Sequence, residues 1–186
     1  MSNLNKKISK PSLTSSIRGF TLIELLIVIT IISILSAVIL VAVNQARSNA
    51  RDKDRLAQLK QLQAAIEIYG QTNGRYPPAG CGRGTQWTSN GSSYGSCEFY
   101  ISGITDLMNP LPKDPTNTVH GYLYRVDANG TNYKIMSFAS LEATVVDSSN
   151  EHARCPSTCT SQSWCQFSDN NFKKTYAAYS PGAQCW

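Results

Sequence analysis

The sequence lacks the groups of residues on which most catalytic and zinc sites depend. It contains only two histidines, His120 and His152, and they lie 32 residues apart. It has no C-x-x-C pair, no G-x-S-x-G nucleophile motif and no acidic dyad. Zinc sites draw their ligands mainly from Cys and His, and catalysis needs a nucleophile, a base and an orienting group within reach. These absences argue against a zinc protein and predict a chain without enzymatic activity.

Helix-breaking residues are missing from a long stretch near the N-terminus. No proline occurs between Phe20 and Tyr76, and no glycine occurs between Phe20 and Ile68. Because proline and glycine are the residues that most disfavour a helix interior, the stretch predicts one helix from about residue 20 to about residue 70. The sequence NGRYPP at residues 73–78 then ends this helix with turn residues and prolines.

Positive charge is scarce after the first nineteen residues. The formal charge of the whole chain is +5, but three lysines and one arginine precede Phe20 with no acid among them. Without residues 1–19 the balance falls to +1. A nearly neutral remainder has no field that would hold phosphates, so we expect no nucleic-acid partner. We interpret residues 1–19 as a basic leader.

Cysteine is absent from the first 80 residues. All six cysteines come later, and an even number on one side of an apolar segment predicts disulfides formed outside the cytoplasm. Six cysteines allow 15 pairings. We favour only one of them, Cys81–Cys97, because these two residues are close in sequence and flank a Gly/Ser-rich loop. The disulfide candidates are Cys81, Cys97, Cys155, Cys159, Cys165 and Cys185.

Residues 20–43 form an apolar run of 24 residues. As a helix this run spans about 36 Å, enough for a hydrocarbon core of about 30 Å. A secretory signal peptide is the alternative, but its apolar region would be about 7–15 residues long with a small-residue cleavage site after it, and NQARSNARDKDRL offers none. Basic residues on both sides leave the orientation undecided by charge. The cysteines place the C-terminal part outside, which predicts a single-pass membrane protein with its leader in the cytoplasm.

The apolar run contains one charged residue, Glu24, four residues after Phe20. One interpretation is that its side chain reaches the membrane interface as an ordinary flanking acid. The other follows from the rule that an acid within a membrane segment indicates a function and a specific partner. If the chain is cut between Gly19 and Phe20, the new α-amine can pair with the carboxylate in a medium of low dielectric constant. Such a pair would fix the register between neighbouring helices.

The stretch RGFTLIELLIVITIISIL, residues 18–35, resembles the processing site of type IV prepilins and the related pseudopilins. The resemblance implies that a prepilin peptidase cuts after Gly19 and methylates the amine of Phe20, and that Glu24 meets the amine of a neighbouring subunit. It also implies the pilin fold, an inner-membrane assembly platform, other (pseudo)pilins as partners, and a homo-oligomeric helical filament outside the cytoplasm. The expected domains are a removed leader (1–19), a transmembrane and polymerisation segment (20–43), an amphipathic helical segment (44–70) and an extracytoplasmic head (71–186).

The second half of the predicted helix changes in character. Residues 44–55 are polar on all sides, which we interpret as a passage near lipid headgroups. An apolar stripe then recurs at spacings of three and four residues, the pattern of a helix that packs on a sheet. An isolated coiled coil is the alternative, but two heptads are short for one. The stripe consists of Leu56, Leu59, Leu62, Ile66 and Tyr69.

The remaining residues predict a small α+β head. Residues 122–126 and 133–136 alternate around a turn at 127–130, which predicts a β-hairpin. Residues 141–147, LEATVVD, predict a third strand. Three antiparallel strands with one apolar face can be covered by the stripe, so the predicted fold is a long N-terminal helix packed by its second half on a small antiparallel sheet. The polar tail, residues 148–186, contains four cysteines and is expected to depend on disulfides.

The head carries a second resemblance. NGRYPP, LPKDP at residues 111–115 and the predicted hairpin are similar to the major pseudopilin of type II secretion. The cysteine-rich tail is instead similar to the disulfide-closed loops of some type IV pilins, so a type IV pilus or DNA-uptake (competence) filament is the alternative. The pseudopilin resemblance implies a calcium ion in a loop after the sheet. Glu142, Asp147 and Glu151 are the acids available there, but their spacing matches no calcium loop, and no cofactor is predicted.

Three classes of function suit a membrane-anchored chain of this kind: a filament subunit, an enzyme and a binding module. A filament subunit acts through helix packing and not through catalysis, because its apolar helix moves from the lipid into a bundle of helices. An anchored enzyme facing outward lacks the catalytic groups described above. A binding module would contact DNA or a surface through exposed aromatic residues, although such residues more often pack in the interior. The aromatic candidates are Trp87, Tyr94, Tyr100, Trp164 and Trp186.

Overall fold

Helix α1 runs over Leu22–Asn73 in the computed structural model of the chain, which describes residues 19–159 and 162–186. The long N-terminal helix is therefore confirmed, and it begins and ends two or three residues later than predicted. Except for Gly19, the predicted leader lies outside the described residues. The chain divides between Ala42 and Val43 into two compact units.

The first unit consists, in its described part, of the start of helix α1 and the residues just before it. Every large apolar side chain from Phe20 to Val41 is exposed, by 45% to 82%. No residue of this stretch is buried against another part of the described chain, and the helix is long and apolar enough to cross a membrane. The apolar segment therefore fits membrane anchoring.

In the second unit, residues 43–186, helix α1 contributes one face to the hydrophobic core. Leu59, Leu62 and Ile66 are fully buried, and Leu56 and Tyr69 pack at the margin of the same cluster. The predicted stripe thus packs on the sheet of its own chain, as expected, and does not form an isolated coiled coil. An apolar face of this kind is the main source of stability for a helix in a small domain.

The three-stranded antiparallel sheet has the order β1–β2–β3. β1 is Tyr122–Val126, β2 is Tyr133–Ser137 and β3 is Tyr176–Tyr179. The predicted hairpin is confirmed, with Tyr122 opposite Ser137 and Val126 opposite Tyr133.

The two faces of the sheet carry separate clusters, because side chains alternate along a strand. Tyr124 and Ile135 belong to the main core with the helix stripe, whereas Leu123, Met136 and Ala177 form a second, smaller cluster on the opposite face.

The prediction of a third strand at residues 141–147 is wrong. This segment is irregular, and β3 comes instead from the polar tail. Part of the reason is that the backbone N–H groups of Glu142, Ala143 and Thr144 donate to the Asp52 carboxylate at 2.8–3.2 Å, so they are not available for a sheet ladder. β3 pairs with β2 over Lys134–Ser137 and supplies the third strand.

Three disulfides close loops of the second unit: Cys81–Cys97, Cys155–Cys165 and Cys159–Cys185. The first is the pair that the sequence favoured. The other two lie in the tail, which also contributes the fully buried ring of Phe172 to the main core. The tail is therefore an integral part of the packed unit.

Candidate functional site

Helix α1 begins with a capping box formed by Thr21 and Glu24. Glu24 Oε2 accepts hydrogen bonds from the backbone N–H of Thr21 at 2.9 Å and from its hydroxyl at 2.6 Å. In return, the backbone N–H of Glu24 donates to Thr21 Oγ1 at 3.3 Å. This exchange satisfies polar groups that the first turn of a helix leaves without partners. The sequence interpretation missed this role of Glu24, although Thr-x-x-Glu before an apolar run is its signature.

The capping box holds the Glu24 carboxylate close to the predicted cleavage point. Oε2 takes both bonds from Thr21, whereas Oε1 accepts no hydrogen bond from the residues that the structure describes. Gly19 and Phe20 precede the helix and are exposed, Phe20 by 80%. Both residues that flank the predicted cleavage point are therefore exposed, and one carboxylate oxygen of Glu24 has no partner within residues 19–159 and 162–186.

A buried ion-pair network in the second unit centres on Arg55, whose side chain is fully buried. Its Nε and Nη2 donate to the two carboxylate oxygens of Asp114 at 2.9 and 3.1 Å. Its Nη1 donates to Asp52 at 2.9 Å and to Glu142 at 3.1 Å, and Nη2 also donates to the Thr116 hydroxyl at 2.6 Å. All five N–H donors of the guanidinium group are therefore used.

The carboxylates of the network are also well satisfied. Asp52 accepts the three backbone N–H groups of residues 142–144, and Asp114 accepts those of Thr116 and Asn117 at 3.0 and 2.8 Å. Buried charges persist only when they are paired and hydrogen-bonded in this way. The network consequently fixes two loops, around residues 114–117 and 142–144, against helix α1.

The surroundings of these groups keep them charged. Burial acts to raise the pKa values of Asp52 and Asp114, but hydrogen bonds outweigh it and leave both pKa values below their usual range. For Asp52 these bonds come from backbone N–H groups, and for Asp114 chiefly from Arg55. The hydrogen bond from Arg51 lowers the pKa of Glu142 to about 2, against a smaller opposing effect of burial. Burial acts to lower the pKa of Arg55, but its contacts with Asp114 and Glu142 raise it above the usual value.

The network corrects the interpretation of residues 44–55 as a passage near lipid headgroups. Asp52 and Arg55 from this segment are buried in the interior of the second unit, with 1% and 0% exposure. Sequence reasoning missed both residues and their partner Asp114, which is the aspartate of the LPKDP segment. The available signal was an acid and an arginine three residues apart on the helix, but nothing local pointed to a partner 59 residues away.

The three acids considered as calcium ligands lie in different surroundings. Glu142 contacts the guanidinium groups of Arg51 and Arg55, and Asp147 accepts hydrogen bonds from Ser149 within its own turn. The Glu151 side chain is 79% exposed. Within residues 19–159 and 162–186 no three His, Cys, Asp or Glu side chains gather as a metal site would require. These residues therefore do not fit the calcium site that the pseudopilin resemblance implies.

The aromatic candidates differ in exposure. Tyr100 is fully buried, with its hydroxyl donating to the Pro112 carbonyl at 3.0 Å, so it is a core residue. Trp164 is 47% exposed. The other three are partly buried, namely Trp87, Tyr94 and Trp186.

Comparisons with known proteins agree with the geometry of the N-terminal segment. Residues 14–40 match the family model described as the prokaryotic N-terminal methylation motif. Over 122 residues the chain is 23% identical to the type II secretion system core protein G of Pectobacterium carotovorum subsp. carotovorum, which covers 64% of this chain and 67% of that protein. No solved structure matches the chain significantly. With the methylation motif at the start of helix α1 and an α+β second unit closed by disulfides, the chain is a pilin-like protein that resembles type IV pilins and type II secretion pseudopilins.

Proposed function

We propose that the chain is a structural subunit of a type IV filament, cut between Gly19 and Phe20 by a prepilin peptidase and polymerised through residues 20–43. The observation that carries this proposal is an uncovered apolar helix that coincides with the methylation motif. Burying one large apolar side chain is worth about 1.5–3 kcal/mol, so leaving the whole segment in water costs on the order of tens of kcal/mol. A membrane before assembly and neighbouring helices after it provide the cover. The proposed role involves no catalysis.

The disulfides support the proposed orientation. Three disulfides and no free cysteine in the described residues suit a second unit that folds in an oxidising space. The chain is then anchored in the inner membrane with this unit outside the cytoplasm, where an assembly platform and other (pseudo)pilins are its partners. The mature form is part of an extracytoplasmic filament.

The capping box suggests how Glu24 acts in assembly. Cleavage converts the amide nitrogen of Phe20 into an amine that is cationic, with or without a methyl group. Because Oε2 is occupied by Thr21 and Oε1 is not, Glu24 can keep its own helix capped and accept a hydrogen bond from the amine of a neighbouring subunit. An ion pair in an apolar bundle is strong and directional, so it would set the axial register of the helices.

The type II secretion pseudopilus is the machine that we favour. The similarity to a type II secretion system core protein supports it. The alternative is a major or minor pilin of a type IV pilus or of a DNA-uptake filament, and the two disulfides of the tail favour it. The phenotype of a strain that lacks this chain distinguishes a secretion pseudopilus from a pilus or DNA-uptake filament. Secreted proteins retained in the periplasm are expected for a pseudopilus, whereas normal secretion with loss of surface filaments or DNA uptake would support the alternative.

Mass spectrometry of the mature chain tests the processing step. We expect a chain that begins with N-methylated Phe20 and lacks residues 1–19. A functional, exported chain that still carries the leader would refute the proposal.

Two substitutions separate the pairing role of Glu24 from its capping role. Glu24→Gln keeps a side-chain acceptor that can complete a capping box but removes the negative charge. We expect this variant to be processed and to stay out of filaments. Thr21→Ala is the matched control, because it weakens the cap by about 1 kcal/mol and leaves the charge in place. It should still assemble. Normal filament incorporation of Glu24→Gln would show that capping alone accounts for the acid.

A further inference from the structure

The face of the sheet opposite helix α1 borders a cleft of about 270 Å³ in the second unit. Its lining combines indole rings with cationic side chains, and none of the described residues that line it is Asp or Glu. The main-chain carboxyl oxygen of Trp186 accepts a hydrogen bond from Lys134 Nζ at 2.9 Å. We call it the Trp–Arg cleft, and its lining residues are Trp87, Arg125, Arg154, Trp164 and Trp186. Tryptophan and arginine are the residues that most often dominate the binding energy of protein–protein interfaces.

Arg125 is held in place by the rings around it. Its guanidinium carbon lies 5.9 Å from the ring centre of Trp87 and 5.0 Å from that of Trp186, both within the range of cation–π contacts. Its Nε donates to the Thr85 carbonyl at 2.9 Å. No carboxylate of the described residues forms an ion pair with it, so its terminal N–H groups remain available to an anion.

Arg154 likewise has no carboxylate partner among the described residues. Its guanidinium carbon lies 4.9 Å from the ring centre of Phe138, and its Nε is buried without a hydrogen-bond acceptor among the residues placed by the structure. Burial lowers the pKa of Arg154, and Asp169 opposes this shift without forming an ion pair. No carboxylate of the described residues forms an ion pair with Arg154, so a carboxylate that reaches its terminal N–H groups would supply the missing counter-charge.

A turn with the complementary character lies elsewhere on the second unit. Glu98 and Phe99 project from the surface, with Phe99 51% exposed. The residues on either side, Cys97 and Tyr100, are buried, and Cys97 is bonded to Cys81. The turn is therefore held rigidly, which reduces the entropy lost on binding. Glu98 contacts Lys113 at 3.3 Å, but both side chains are exposed, so this ion pair is easily exchanged for another.

We propose that the Glu98–Phe99 turn of one copy docks into the Trp–Arg cleft of a second copy. Phe99 then packs on the exposed Trp164, and the Glu98 carboxylate binds the guanidinium groups of the cleft. The two surfaces are different parts of one chain, so the contact is heterologous and its repetition builds an open helical array instead of a closed dimer. This inference rests on the proposed filament function and names the contact between neighbouring second units.

Photo-cross-linking of the full chain in cells that assemble it tests the contact directly. Phe99 is replaced by p-benzoylphenylalanine, and the dimer formed on illumination is mapped by mass spectrometry. We expect the cross-linked peptide of the second copy to contain Trp164 or Trp186. The same replacement at Val145, which is 71% exposed, is the control and should give no link to the cleft. A link from position 99 to another protein or to another surface of the chain would overturn the proposal.

Charge reversal provides an independent test with the same readout. Glu98→Arg should lower the yield of the position-99 dimer about tenfold, which corresponds to about 1.4 kcal/mol. Adding Arg154→Glu to this variant should restore the yield, because the arginine at position 98 of the turn then meets a glutamate at position 154 of the cleft. Arg125→Glu offers the same exchange at a less enclosed position if the first reversal destabilises the second unit. An unchanged yield with Glu98→Arg alone would contradict the docking.

The outcomes also separate this inference from the filament function. Filaments that form normally without the position-99 dimer would overturn the docking and leave the filament function intact. A chain that is exported and never assembles would overturn both. The Glu24→Gln variant should lose the dimer as well, because the docking depends on assembly.

Discussion

The buried network allows a quantitative prediction for Arg55→Met. Methionine fills part of the same space but leaves Asp52 and Asp114 buried without the cation that joins them. Removing one partner of a buried ion pair costs about 3–5 kcal/mol. We expect the lower part of this range, about 3 kcal/mol, because both carboxylates keep their backbone N–H donors.

Urea unfolding of the full chain in detergent micelles measures this loss. All three tryptophans lie in the second unit, so their fluorescence reports on that unit alone. With a denaturant dependence of about 1.5 kcal/mol per molar urea, a loss of about 3 kcal/mol lowers the unfolding midpoint by about 2 M.

Arg51→Met is the matched control. It removes the other arginine that contacts Glu142, but the Arg51 side chain is 33% exposed and Glu142 retains Arg55. Partly exposed ion pairs contribute about 1 kcal/mol or less, so the midpoint should fall by well under 1 M. Equal effects of the two substitutions would refute the conclusion that Arg55 organises the network.

Three further outcomes are expected from the same unfolding assay. Asp52 and Glu142 have lower pKa values in the folded unit than in the unfolded chain, with Glu142 at about 2, so the stability that they add is present above about pH 4.5 and is lost as the pH falls towards 2. A urea midpoint that is constant from pH 6 to pH 3 would contradict this. Burial lowers the pKa of Lys134 to about 7 from 10.5, so the unfolded chain binds more protons above pH 7. Stability should then rise between pH 7 and pH 9, by up to about 1.4 kcal/mol per pH unit, and Lys134→Met should flatten the rise. Replacing Cys159 and Cys185 by serine opens a loop of 26 residues and should cost about 3.5 kcal/mol, whereas an unchanged midpoint would show that the tail is held by packing alone.

The elements that the sequence predicted well are those with a local signal. The stripe of helix α1 repeats every three or four residues, and the strands of the hairpin alternate around a short turn. Both patterns describe which side of an element meets the core, so they can be recognised without knowing what else packs there. The methylation motif is equally local, because its residues are consecutive.

The Arg55 network was missed because its partners are distant in sequence. Arg55 and Asp114 are 59 residues apart, and Asp52 meets the backbone of residues 142–144 about 90 residues away. In the sequence, charged residues on a helix look alike whether they face water or pair in the interior. Only tertiary contact distinguishes the two.

The error over the third strand has a related cause. Residues 141–147 have the apolar and β-branched composition of a strand, whereas YAAY in the tail is short and half alanine. Strand propensity describes how well a side chain fits a pleated, half-buried surface, so the position in the sheet outweighs it. The carboxylate of Asp52 binds the N–H groups of the first segment, and the free edge of β2 is taken by the second.

The late position of β3 has a consequence for the biogenesis of the chain. β2 is the central strand, and the residues that complete it are synthesised about forty positions after it. Until they emerge, a nascent chain presents an open row of backbone donors and acceptors to whatever strand is near, including the same strand of another nascent copy. Chains that end before residue 176 should therefore aggregate and be degraded by proteases. Where several nascent copies lie close together at a translocation site, strand exchange between them would be favoured.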